Sequence, residues 1–172
     1  MMRTCLLCAS LLLAALGMAQ KPTAELSKLS VLLGKWESHE ESTGPDGKST
    51  KFVLQGTNTW VLNGKFLQIK EEFEIPGVGK IENLILMGFD PKAKRYHAWW
   101  YTSNAPVPIE FEGDFDGKNF TLTTVGDTGR PPLRIRYDFL EDGHYKAVLE
   151  VKREDAWKLA TEAEYKRTAK GD

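Results

Sequence analysis

The stretch LQGTNTWVLNGKFLQIKEEF, residues 54–73, decides the fold predicted for this chain. Asn63-Gly64 at its centre is the strongest short signal for a β-hairpin, since both residues tolerate the left-handed backbone of a two-residue turn. A two-residue loop pairs Leu62 with Lys65, and every other pair in the two strands follows from that one. Because side chains alternate between the faces of a strand, the register also assigns each residue to a face.

One face of this predicted hairpin is almost entirely apolar. Its cross-strand pairs are Trp60 with Leu67, Asn58 with Ile69, Gly56 with Glu71, and Leu54 with Phe73. The opposite face is mostly polar and includes Gln55, Thr57, Gln68, Lys70 and Glu72. Such alternation is typical of antiparallel strands with one buried side, so the apolar face is predicted to point into a core. Asn58 and Glu71 are expected to point inward with it.

Two further hairpins show the same division into an apolar and a charged face. A turn at residues 116–117 is predicted to pair Phe115 with Lys118, and therefore Gly113 with Phe120, whose ring would cover the glycine. A three-residue loop over residues 141–143, with glycine in the left-handed position, gives the third hairpin. Its inward pairs are Phe139 with Tyr145, Tyr137 with Ala147, Ile135 with Leu149, and Leu133 with Val151. The last strand is expected to continue this face with Trp157, Leu159, Ala163 and Tyr165.

Turn signals recur about every ten residues along the whole chain, which is the spacing of short antiparallel strands. The predicted strands are residues 35–43, 51–62, 65–75, 80–89, 94–103, 108–115, 118–125, 132–140, 144–152 and 156–167. No helix-length segment separates them, which argues against a parallel sheet. The predicted fold is all-β: a ten-stranded, antiparallel, up-and-down barrel, with a two-sheet sandwich as the alternative. A short helix over residues 24–33 precedes it, with Leu26, Leu29 and Leu33 on one face and Gly34 at its end.

Residues 1–19 have the three parts of a secretory signal peptide: a positive Arg3, an apolar run and small residues before a cut at Gln20. Residues 20–172 then form one domain, and we expect the protein to be periplasmic or secreted. Both cysteines, Cys5 and Cys8, lie in the signal, so no disulfide is expected.

Several motifs, in order, resemble a known family. They are Leu29-x-x-Leu32-x-Gly34-x-Trp36, then residues 60–67, Gly88-Phe89-Asp90-Pro91 with Tyr96, residues 113–117, and Tyr165-Lys166-Arg167. The G-x-W after a short helix is similar to the signature of lipocalins and other calycin barrels. Over residues 26–168 the chain resembles a bacterial, often secreted, lipocalin-like domain family of unknown function. The resemblance implies the lipocalin-like barrel and no settled activity.

Charge and histidine placement exclude several classes of function. All 24 acidic residues and all but one of the 23 basic residues lie beyond residue 19, so the mature chain is weakly acidic. Nucleic acid and anionic membranes need a basic face, and no later segment is apolar enough to span a bilayer. His39, His97 and His144 lie on separate strands without a ligand spacing, which argues against zinc. The haem barrels with a similar G-x-W need a histidine nearer the C-terminus, so no cofactor is expected.

Glu71 is the strongest candidate for a functional residue. Its register places it inside the barrel, opposite Gly56 and diagonal to Asn58, where a lone carboxylate must be paired, hydrogen-bonded or protonated. It would anchor the polar end of an apolar ligand or act as a general acid or base. Alternatively, it lies near the barrel rim and reaches water, or pairs with an interior arginine.

The aromatic residues suggest a lined pocket. The predicted ligand-binding residues are Trp36, Asn58, Trp60, Glu71, Phe73, Trp100, Phe111, Tyr137 and Tyr145. The leading hypothesis is an exported barrel that binds a small, mostly apolar molecule inside. The alternatives are a filled barrel that serves as a structural or interaction module, and an enzyme that uses Glu71. The sequence leaves the oligomeric state open.

Overall fold

The computed structural model describes residues 21–43, 49–127, 129–140 and 143–171, so the predicted signal peptide lies outside the described residues. Beyond the N-terminal helical segment, the regular structure there consists of ten β-strands. They are β1 (Gly34–Thr43), β2 (Ser49–Val61), β3 (Phe66–Ile75), β4 (Gly79–Asp90), β5 (Arg95–Thr102), β6 (Ala105–Phe115), β7 (Asn119–Thr124), β8 (Leu133–Phe139), β9 (Tyr145–Arg153) and β10 (Ala156–Ala169).

The strands form a closed, antiparallel, up-and-down barrel. Each strand pairs with its neighbours in sequence, and β1 pairs with β10 to close the ring. The predicted fold class is therefore confirmed. Because these ten strands form a closed ring, none of them has an unpaired edge. Every second side chain of each strand points into a shared interior.

The register of the β2–β3 hairpin is confirmed, with Gly56 opposite Glu71 and Trp60 opposite Leu67. Its loop is longer than predicted, because the strands end at Val61 and Phe66. Leu62 and Lys65 are turn residues instead of a strand pair, since the backbone N–H of Lys65 donates to the Leu62 carbonyl within the turn (3.3 Å). The face of each strand residue is unaffected.

The β6–β7 hairpin departs from the predicted register by two residues, and Phe115 lies opposite Phe120 instead of Lys118. The cause is Asp116, whose carboxylate accepts hydrogen bonds from the backbone N–H groups of Lys118 (2.8 Å) and Asn119 (2.6 Å). These bonds hold both residues in the turn. Because the shift is even, each side chain keeps its predicted face.

Gly113 is a glycine for a different reason from the one predicted. It lies opposite Leu122, so the ring of Phe120 does not cover it from the paired position. A Cβ on Gly113 would lie 1.8 Å from the carbonyl oxygen of Thr121, so the close approach of two backbones excludes any side chain there.

The β8–β9 hairpin has its predicted register, with Tyr137 opposite Ala147 and Phe139 opposite Tyr145. Gly143 has the predicted left-handed backbone, with φ +75°. Residues 141–142 of the predicted loop lie outside the described residues.

A β-bulge in β10 overturns part of the predicted inward face. The register slips between Leu159 and Thr161, so the residues before the bulge change sides. Leu159 is 60% exposed, and the ring of Trp157 lies on the outer surface with the Arg134 guanidinium 4.5 Å from its centre. Beyond the bulge Tyr165 is buried inside the barrel, as predicted.

The N-terminal helix is a short α-helix, α1 (Ala24–Ser27), continued by a 3₁₀ turn over Lys28–Leu32. In a 3₁₀ turn residues three apart share a face, so Leu26, Leu29 and Leu32 are the buried leucines instead of the predicted set that ended at Leu33. Leu33 is only partly buried.

This helical segment closes one end of the barrel. The Leu32 carbonyl accepts hydrogen bonds from the Trp36 indole N–H (2.7 Å) and from the Asn58 amide (2.8 Å). Arg167 donates to the Val31 carbonyl (2.5 Å), and its guanidinium stacks over the Trp36 ring at 4.6 Å. No helix among the described residues is long and apolar enough to cross a bilayer.

Candidate functional site

The barrel interior holds a cavity of about 250 Å³. Exposure along β10 shows where it opens: Tyr165 is buried, Ala163 is half-buried and Thr161 is exposed, and all three line the cavity. The mouth therefore lies at the end of the barrel away from the helix. The apolar part of the wall includes six residues from five strands: Phe52, Leu54, Phe73, Ile85, Ile135 and Leu149.

Glu71 supplies a carboxyl group to this cavity from β3. One carboxylate oxygen accepts a hydrogen bond from the Tyr165 hydroxyl (2.8 Å), and the other accepts one from the Asn83 amide (3.1 Å). Asn83 lies directly opposite Glu71 on β4, whereas Tyr165 reaches it from β10 across the barrel. Gly56, on the other side of Glu71, does not line the cavity, and a Cβ there would contact Trp36 (3.5 Å).

Burial raises the pKa of the Glu71 carboxyl above its ordinary value. The hydrogen bonds from Tyr165 and Asn83 oppose this shift, and the nearby charge of Glu40 adds to it. Glu71 makes no ion pair with any described residue, because the interior Arg167 is engaged at the closed end. The carboxyl is therefore hydrogen-bonded but not charge-compensated, and its free surface faces the cavity.

Three buried tyrosines, Tyr137, Tyr145 and Tyr165, surround Glu71. Burial raises the pKa of each phenol, and the Glu71 charge raises it further, so all three stay neutral in the physiological range. The rings of Tyr145 and Tyr165 are stacked, with centres 4.6 Å apart. The hydroxyl of Tyr137, which lines the cavity, makes no hydrogen bond to a described residue.

Two buried polar atoms of residues that line the cavity lack hydrogen-bond partners among the described residues. They are the Asn83 carbonyl oxygen, an acceptor, and the Trp100 indole N–H, a donor. Because most buried polar atoms in native proteins have a hydrogen-bond partner, these two atoms are exceptions.

The predicted binding residues divide into two groups. Those that line the cavity are Glu71, Phe73, Trp100 and Tyr137. Those elsewhere are Trp36 and Asn58, which hold the helix, Phe111 and Tyr145, which are fully buried in the core, and Trp60, which is half-buried against it. Asn58 is therefore a partner of the helix and not of Glu71.

Four polar residues of the cavity were missing from the predicted binding set: Glu40, Asn83, Thr161 and Tyr165. Alternation from Trp36 would have placed Glu40 inward, because the two residues are four apart on one strand. Tyr165 was predicted to point inward but not to reach Glu71. The position of Asn83 follows from the register of the β3–β4 hairpin, in which it lies opposite Glu71.

A larger groove of about 790 Å³ lies mainly on the outer surface of β2–β5 and also touches Glu71 and Asn83. Most of its side chains belong to the outward faces, such as Lys70, Glu72 and Tyr101, so it is exposed to solvent and charged. Within the described ranges no three His, Cys, Asp or Glu residues cluster so as to hold a metal ion. The interior cavity is therefore the better candidate site.

Two comparisons with known proteins complete the observations. A family model described as "protein of unknown function (DUF1579)" matches residues 21–167, which includes all ten strands except the last two residues of β10. The comparison with curated proteins gives no match.

Proposed function

Because the chain belongs to the DUF1579 family, whose description assigns no activity, we propose a function from the cavity: the barrel binds one small, mostly apolar molecule with a polar end. The observation that carries this proposal is an interior cavity with apolar walls and a hydrogen-bonded carboxyl group, Glu71. Small-molecule sites commonly combine a largely apolar lining with a few polar groups that fix the orientation of the ligand.

The cavity volume limits the size of the ligand. At about 30 Å³ for each water-sized group, the space holds a molecule of roughly eight to ten non-hydrogen atoms. The apolar body would lie near the mouth, against the side of Phe52 and Phe73, whose rings are stacked on each other with centres 5.2 Å apart. The polar end would reach Glu71, Asn83 and the free hydroxyl of Tyr137.

Native mass spectrometry of the protein purified from its own host tests this proposal. We expect a co-purifying mass, or one restored by incubation with small apolar molecules. Ala147→Phe places a ring in the cavity and should abolish binding, whereas Ala156→Phe at the exposed start of β10 is the matched control. Binding by Ala147→Phe as tight as that of the parent would contradict the proposal, as would no bound mass in either preparation.

A second candidate function is catalysis by Glu71 as a general acid or base. The observation in its favour is a carboxyl of raised pKa with two hydrogen-bond partners in a cavity. Incubation of the bound molecule with excess protein distinguishes the two candidates. Recovery of the molecule with its mass and structure unchanged supports a carrier and contradicts an enzyme.

We also propose that the protein is exported, on the pattern of residues 1–19. The test is the N-terminal sequence of the protein recovered from the producing cells. A chain that begins at Gln20 in the exported fraction supports export, and an intact chain in the cytoplasm contradicts it.

A further inference from the structure

We propose that the ligand of this barrel carries a primary ammonium group on an apolar body, an inference that rests on the proposed function and narrows it. Three features of the cavity lead to this class: the sign of its charged groups, the number of its free acceptor oxygens and the aromatic rings in its wall.

All the charged groups that line the cavity are acidic. Glu40 on β1 and Glu71 on β3 both contribute carboxyl groups, and no described lining residue is lysine, arginine or histidine. Because an apolar interior screens charge weakly, two carboxyl groups attract a cation there and repel an anion strongly. The Arg167 guanidinium is an interior positive group, but the Val31 carbonyl and the Trp36 ring hold it at the closed end.

The acceptor oxygens of Glu71 and Asn83 match the donors of a primary ammonium, whereas the free Trp100 indole N–H is a donor that this group leaves unpaired. Such a group has three N–H donors and no acceptor. Glu71 keeps lone pairs beyond its two hydrogen bonds, and the Asn83 carbonyl oxygen has no partner among the described residues. Tyr137, which is only 4% exposed, brings its hydroxyl-bearing ring to the same cavity.

Aromatic rings form much of the remaining wall. Phe73, Trp100, Tyr137 and Tyr165 all line the cavity together with the carboxyl groups. The face of an aromatic ring attracts a cation and also packs against an apolar body. The same aromatic residues can therefore contact both the ammonium group and the apolar body of the ligand. An alcohol would gain the packing without the attraction between charges.

An ammonium would also relieve the cost of burying Glu71. That carboxyl has no positive partner in the described protein, and Glu40 adds a like charge beside it. A cation at the cavity supplies the missing partner, so a buried group that is unfavourable in the empty barrel becomes part of an ion pair.

Isothermal titration calorimetry with three probes of similar shape tests the inference: 2-phenylethylamine, 2-phenylethanol and phenylacetate. We expect the amine to bind at least tenfold tighter than the alcohol, and phenylacetate to bind weakest. Glu71→Gln should remove the preference for the amine, and Glu74→Gln, an outward position on the same strand, should keep it. If Glu71→Gln does not fold, Glu40→Gln replaces it and should reduce the preference.

The possible failures are distinguishable. If the alcohol binds as tightly as the amine, or if Glu71→Gln and Glu40→Gln both keep the preference, the ammonium inference is wrong and the proposed carrier function stands. If none of the three probes binds to the folded parent protein, both proposals are wrong.

Discussion

The hydroxyl of Tyr165 on β10 donates a hydrogen bond of 2.8 Å to the carboxyl of Glu71 on β3, across the barrel and over 94 residues of sequence. Two strands, β1 and β2, separate these residues around the ring, so the bond crosses the interior instead of following the sheet. It fixes the polar end of the cavity in place.

Tyr165→Phe should destabilise the protein by about 1–2 kcal/mol, because it leaves a buried carboxylate oxygen without its donor. It should also raise the pKa of Glu71 further, since that hydrogen bond favours the charged form. Urea unfolding measures the first effect and carboxyl-observed NMR titration the second. Tyr101→Phe, on the outer surface, is the control and should change neither quantity.

Glu71→Gln should stabilise the protein relative to the parent at neutral pH. A raised pKa means that the folded protein holds this proton more tightly than the unfolded chain does. The parent therefore loses stability as the pH rises above the ordinary value of 4.5, by about 1.4 kcal/mol for each unit of pKa elevation, until the folded pKa is passed.

Thermal unfolding at a series of pH values checks this difference. The groups that face Glu71 are Glu40 on β1, Asn83 on β4, Tyr137 on β8, Tyr145 on β9 and Tyr165 on β10. The phenols stay neutral over the range used, so the pH dependence of the difference between parent and variant reports on the Glu71 carboxyl. A difference in unfolding temperature between the parent and Glu71→Gln that stays constant from pH 4 to pH 8 would contradict the raised pKa of Glu71.

Asn58→Ala should weaken the attachment of the helix to the closed end. The substitution removes a buried hydrogen bond to the Leu32 carbonyl and leaves a small void, at a cost of about 2–3 kcal/mol. Hydrogen exchange of residues 24–32 should speed up by more than that of the strands. Thr57→Ala, the outward neighbour, should leave exchange unchanged, and equal effects of the two variants would refute the role of Asn58.

Two glycines of the barrel should respond very differently to alanine. At Gly113 a Cβ would lie 1.8 Å from a backbone oxygen, so Gly113→Ala should cost about 3 kcal/mol or more, or prevent folding. At Gly56 the nearest atom would lie 3.5 Å away, an ordinary contact, so Gly56→Ala should cost less than about 1 kcal/mol. Chemical denaturation of both variants measures their free energies of unfolding. Similar losses of stability in the two variants would contradict the predicted difference.

The sequence could predict which residues face inward more reliably than which of them meet. Local turn chemistry determines the face, and an error of two residues at Asp116 did not change it. The bulge at residues 159–161 has no clear turn signal, so Trp157 and Leu159 were placed on the wrong side.

Contacts across the interior depend on the height of each residue, meaning its position along the barrel axis. That height follows from the stagger of all ten strands, including the irregular closure between β1 and β10 near Trp36. Glu71 could therefore be placed inside from one hairpin alone, but its partner Tyr165 could not be assigned. For the same reason Asn58, correctly placed inward, was wrongly grouped with Glu71 when it belongs to the closed end.

The most direct test of the proposed function follows the indole N–H signals in NMR spectra while 2-phenylethylamine or 2-phenylethanol is added. Trp100 lines the cavity and has a free indole N–H, whereas Trp157 lies on the outer surface beside Arg134. We predict that the chemical shift of the Trp100 indole N–H changes and reaches saturation with at least one probe, while that of Trp157 does not change. A Trp100 signal unmoved by either probe, or one that only follows Trp157, would contradict a ligand site inside the barrel.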